Sequence, residues 1–93
     1  MVVMQALGFV ETRSLVAALQ AADTMVKSAD VRIADFNYVG SGIVAVIVEG
    51  EVAAVQAAVD NGRLEAEKLA EIIAYNVIAR PHDEVAVMME QEA

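Results

Sequence analysis

The chain has 93 residues, no cysteine, and 14 acidic against 6 basic side chains, for a net charge of −8 at pH 7. That length holds one domain and one core; the missing cysteines exclude a disulfide framework, a thiol nucleophile and thiolate-held zinc or iron–sulfur clusters; and the negative charge repels phosphate backbones and anionic lipid headgroups, which disfavours nucleic-acid and membrane-surface roles. The apolar share of 58% exceeds the roughly 45–50% of ordinary soluble chains, so surplus apolar surface is expected to be buried between copies of the chain.

The opening Met1-Val2-Val3-Met4-Gln5 carries no basic segment ahead of a long apolar run, so no export signal is expected and the protein reads as soluble. Ala6 to Glu11 alternates loosely and predicts a first strand. Thr12 and Ser14 then offer caps for a helix on which Leu15, Leu19, Ala22 and Val26 recur on one face. The helix is expected to end near Lys27-Ser28-Ala29-Asp30, where a cation suits the negative end of the helix dipole.

Val31 to Val39 predicts a second strand whose alternation slips at Ala34-Asp35, a sign of a bulge. Gly40-Ser41-Gly42 must turn the chain, because glycines tolerate positive φ, and Ile43 to Val48 follows as a third strand closing a hairpin. Glu51 opens a second helix on which Val52, Val55 and Val59 recur, and Asn61-Gly62 reads as its stop. A further turn or two of helix is expected over Leu64 to Ile72, then a last strand from Ala74 to Ile78, ended by Arg80-Pro81. The tail from Asp83 to Glu90 predicts a short helix with Val85, Met88 and Met89 on one side, able to pack on the domain or on a neighbour.

This order predicts an α/β (α+β) chain of ferredoxin-like βαββαβ type, with helices on one face of an antiparallel sheet and one domain over residues 4–90. Such a pattern names no function.

Candidate chemistry is sparse. His82 is the only histidine, and beside Asp83 and Glu84 it offers consecutive residues that converge poorly on one metal ion, so neither a metal site nor histidine catalysis is expected. Glu49 with Glu51, and Glu65 with Glu67, are paired acids of the sort that do acid–base work in a dry cleft. Residues two apart on a helix do not face each other, so Glu65 and Glu67 read instead as part of a solvated surface with Arg63 and Lys68. The Gly40-Ser41-Gly42 turn lacks the lysine and helix start of a phosphate-binding loop, leaving an ordinary hairpin turn or an anion-binding loop as its readings.

Four stretches carry a resemblance: Ala6-Leu7-Gly8-Phe9-Val10-Glu11-Thr12-Arg13, Ala21-Ala22-Asp23-Thr24-Met25-Val26-Lys27, Val39-Gly40-Ser41-Gly42 and Val77-Ile78-Ala79-Arg80-Pro81-His82. With Glu49-Gly50-Glu51-Val52-Ala53-Ala54-Val55 between them, their order and separations resemble the hexameric single-domain shell proteins of bacterial microcompartments. The resemblance implies a cyclic homohexamer with Gly40, Ser41 and Gly42 rimming a narrow central pore for small polar metabolites. It also implies that Lys27 and Arg80 lie at the disc edge, where discs tile into sheets with neighbouring hexamers and other shell proteins. Encapsulated enzymes docking through helical tails, a place in a bacterial cytoplasmic compartment, and no cofactor complete the expectation. The chain departs from the family pattern at Glu49-Gly50-Glu51, where a basic residue, glycine and aspartate are common, and at Tyr38, Asn61 and Ala79. The alternative is a regulatory module that pairs its sheets and binds a metabolite at the seam; an enzyme working through acidic residues alone ranks last.

Overall fold

The computed structural model describes residues 5–92, so the expected domain start at residue 4 and most of the opening segment lie outside the described residues. The elements run β1 (Ala6–Thr12), α1 (Leu15–Ser28), β2 (Val31–Gly40), β3 (Ile43–Gly50), α2 (Val52–Ala66), β4 (Ile72–Ile78) and α3 (Asp83–Glu92). The four strands form one antiparallel-paired sheet in the order β2-β3-β1-β4. The hairpin strand β3 is thus inserted between β1 and β2, which the α1 crossover leaves running in the same direction. This is the expected split βαβ arrangement, and among the described residues no helix is long and apolar enough to cross a membrane.

Side chains alternate across the pleat, so paired residues share a face. The row Val10↔Val46 and the neighbouring Val48 are fully buried beneath the helices. From above, α1 contributes Ala17, Ala18, Ala21 and Met25, and α2 contributes Val55, Ala58, Val59 and Ala66. The core is built from small and β-branched residues, and this lets the helices lie close to the sheet. At Gly8 a β-carbon would meet Val59 Cγ2 at 2.5 Å and Val55 Cγ1 at 2.6 Å, so only glycine leaves room for α2 over β1.

Two expectations about the helices are corrected. Asn61-Gly62 does not stop α2, which continues to Ala66; the separate helix over Leu64 to Ile72 is absent, and β4 begins at Ile72 instead of Ala74. Gly62 serves a packing role. A β-carbon there would stand 2.6 Å from Met25 Cγ, so the glycine marks where α1 crosses α2, and burial of that crossing outweighs the roughly 1 kcal/mol helix penalty of glycine. After Ala66 the chain turns through Lys68 and Leu69 into β4.

The apolar stripe of α1 is also not its buried one: Leu15, Leu19 and Val26 are exposed, with Val16 at 65%, while the alanine and Met25 side is buried. Of the two proposed caps, Ser14 performs the role, its Oγ accepting the Ala17 N–H at 3.2 Å. Thr12 is instead buried, its hydroxyl donating to the Glu71 carbonyl at 2.9 Å and tying β1 to the approach of β4. The slip near Ala34 is a true irregularity, a register shift between Ile33 and Asp35 against β3. The tail helix α3 forms as expected and runs to Glu92, with Met88 exposed and Val85 and Met89 half-buried.

Candidate functional site

At the hairpin tip, Gly40 pairs with Ile43 and the two residues between them both have positive φ, 55° at Ser41 and 78° at Gly42. That is the requirement of a type I′ turn, whose twist matches the flanking strands. Gly40 itself sits at φ 124°, and both glycines open onto free space. Ser41 is the one non-glycine residue at positive φ among the described residues. A side chain there costs about 1 kcal/mol or more relative to glycine, so the hydroxyl is held at the exposed tip against local preference.

Strand register locates the tip relative to the other expected residues. Thr12 pairs with Val44, so the turn projects from the end of the sheet where β1 finishes. At the opposite end Ala6 pairs with Gly50, Gly50 with Val31, and Leu7 with Ile78. Lys27, in the last turn of α1 four residues before Val31, and Arg80, two residues after Ile78, both fall at this far end. The ten residues of β2 separate the two ends, about 30 Å at roughly 3.3 Å per residue.

Lys27 Nζ reaches Asp23 Oδ2 at 2.9 Å, an i,i+4 pair with the lysine side chain 74% exposed. Such pairs are worth about 0.3–0.5 kcal/mol, so the ammonium is readily surrendered to a better acceptor. Arg80 is exposed, and the buried Pro81 fixes the chain immediately after it.

Each acid pair has one member held in an ion pair. Glu49 lies across the sheet from Arg32 and forms an ion pair with it, while Glu51, whose backbone caps α2 without a side-chain cap bond, lines the same cleft. Glu65 pairs with Lys68 at 3.0 Å on the surface, and Glu67 closes α2. His82 is exposed and its Nδ1 accepts the Glu84 N–H at 3.1 Å, a local chain-end role.

Two contacts escape a linear reading. Counting straight back from the Gly40↔Ile43 pair puts Arg32 opposite Glu51, and only the two register shifts in β2 move it to Glu49. Arg63 lies over the Tyr75 ring at 4.5 Å, a cation–π contact between α2 and β4 that separation in sequence conceals.

Exposed apolar residues collect along both sheet edges: Ile33, Tyr38 and Val39 on β2, and Ile73, Tyr75 and Ile78 on β4. Two different apolar edges on one molecule suit head-to-tail association, which closes into a ring when the rotation permits.

This fold recurs in a microcompartment protein from Desulfitobacterium hafniense DCB, whose crystal structure superposes with a TM-score of 0.83 at 29% identity, over 96% of this chain and 48% of that one. This chain therefore spans about half of that longer protein. The model of the BMC domain matches residues 6–81. Bacterial microcompartment shell protein PduA of Citrobacter freundii is 52% identical over 81 residues, 87% of each chain. Carboxysome shell protein CsoS1A of Hydrogenovibrio crunogenus is 47% identical over 88 residues, 94% of this chain and 92% of its own. Bacterial microcompartment shell protein EutM of Escherichia coli K12 is 43% identical over 82 residues, 88% and 84% of the two chains.

Fold and relatives together define the class as shell-forming structural proteins, not enzymes. The chain belongs to the BMC domain family and is a bacterial microcompartment shell protein. The comparisons lend nothing to the ligand-binding alternative.

Proposed function

We propose that six copies close into a flat ring with each Gly40-Ser41-Gly42 turn at the symmetry axis, and that these rings tile into the shell wall of a compartment in the bacterial cytoplasm. The observation that carries this reading is the left-handed Ser41 at an exposed glycine-flanked tip, a conformation that favours glycine and keeps a hydroxyl instead. Six such hydroxyls with their neighbouring N–H groups would line a constriction where small polar solutes exchange water for pore hydrogen bonds, while bulkier or apolar ones are held back.

The same reading assigns Lys27 and Arg80 to the perimeter. Their support is topological, since both stand at the end of the molecule opposite the turn. Contacts across the perimeter use surfaces distinct from those that close the ring, so rings and sheets form as separable steps. Neighbouring hexamers and other shell proteins are the partners along that perimeter, and helical tails of encapsulated enzymes are the partners on a disc face.

The test is the state of the purified protein. Native mass spectrometry should give a hexamer, and electron microscopy of the same preparation should show hexagonally packed sheets with a central hole. A monomer, or a hexamer with residues 40–42 on its outer rim, overturns the proposal.

A further inference from the structure

Resting on the pore reading above, we infer that this pore passes small uncharged solutes and excludes anions. The hairpin that would form it is uncharged over an unusual length: residues 36–48, Phe36 through Val48, contain no acidic or basic side chain. Its two faces differ. Register places Phe36 and Tyr38 on the helix side, beside Val46 and Val44, and the two rings meet edge to face at 6.2 Å. Tyr38 is 67% exposed and presents an aromatic surface at that mouth. The opposite mouth receives Asn37, in a row with Ala45 and Glu11, and nearby Asp35, whose carboxylate accepts the Phe36 N–H at 2.9 Å.

An anion entering a constriction sheds water at a steep cost unless a fixed positive charge replaces it. Between residues 36 and 48 this hairpin offers hydroxyls, amides and aromatic faces but no cation, and the nearest charge it carries, Asp35, is negative. An uncharged polyol or aldehyde loses only hydrogen bonds that Ser41 and backbone groups can replace. The surrounding charge adds to the bias against anions. At the end of the molecule that carries the turn, Glu11, Glu65, Glu67 and Glu71 stand against Arg13, Arg63 and Lys68, a net −1 per copy, and the whole subunit carries −8. There is no cationic funnel to draw a carboxylate or bicarbonate to the mouth.

Purified protein assembled as sheets over a perforated support tests this with two three-carbon tracers of similar size, glycerol and lactate, and a large dextran to report leaks. At physiological salt glycerol should cross at least about ten times faster than lactate. Tyr38→Lys, which sets a ring of cations at one mouth, should shrink that ratio several-fold; Asn37→Lys does the same from the other mouth should the first variant fail to assemble. Equal crossing of both tracers by the unmodified protein, with both slowed by Ser41→Leu, overturns the charge selectivity and leaves the pore. An unchanged ratio in an assembled lysine variant also overturns it. Crossing of both tracers that ignores Ser41→Leu removes the pore itself, and the inference with it.

Discussion

Gly8→Ala puts the packing of α2 on β1 to a direct test. The new methyl would sit 2.5 Å from Val59 Cγ2 and 2.6 Å from Val55 Cγ1, about 1 Å inside ordinary contact for each. Both valines are fully buried and stiff at χ1, so neither can rotate aside, and relief requires lifting α2 off the sheet. Overpacking of this kind costs about 1–3 kcal/mol, against which alanine recovers roughly 0.5–1 kcal/mol of backbone entropy relative to strand glycine. The net expectation is a loss of about 1–2 kcal/mol, or roughly 5–15 °C in Tm for a domain of this size. Denaturant or thermal unfolding should be run at one fixed protein concentration, because assembly itself raises apparent stability. A cycle with Val59→Ala supplies the control. Removing the valine methyls makes room for the new one, so the double variant should be more stable than the summed single losses by about 1 kcal/mol or more. If Gly8→Ala matches the unmodified protein in stability, or the two changes simply add, the close approach of α2 to β1 is wrong.

Ser14→Ala removes the N-cap of α1 and should lower stability by about 1 kcal/mol in the same unfolding assay, with little effect on assembly. Thr12→Val leaves the Glu71 carbonyl without its donor and should cost about 1–3 kcal/mol, read as a lower unfolding midpoint. Lys27→Ala should leave rings intact by native mass spectrometry while extended sheets disappear from electron micrographs; dissociation to subunits would remove this lysine from the perimeter. Six subunits at −8 each give a ring of −48, so sheets should grow as salt rises and screens charge beyond about 8 Å; sheets favoured by low salt would refute that electrostatic account.

Much of this protein could be read from its residues alone because the deciding signals are local. The glycine–serine turn, the serine cap, the slip at Ala34 and the order of strands and helices each depend on the conformational preferences of a few adjacent residues. The family, too, was legible in short ordered stretches such as Val39-Gly40-Ser41-Gly42 and Val77-Ile78-Ala79-Arg80-Pro81-His82. Tertiary contact decided the rest. Asn61-Gly62 has the local form of a helix stop, yet α2 runs through it because Gly62 seats against Met25 of another helix. The apolar spacing of α1 identified a helix but not its inward side, since small alanines fit the narrow gap above the sheet and leave Leu15, Leu19 and Val26 outside. Likewise, a second register shift, between Tyr38 and Gly40 and invisible along the chain, adds to the one at Ala34 to join Arg32 to Glu49, and strand pairing sets Ser41 at one end of the molecule with Lys27 and Arg80 at the other. Preferences of neighbouring residues are written in the chain itself, whereas the choice between competing local forms is made by which of them buries the most surface once distant segments meet.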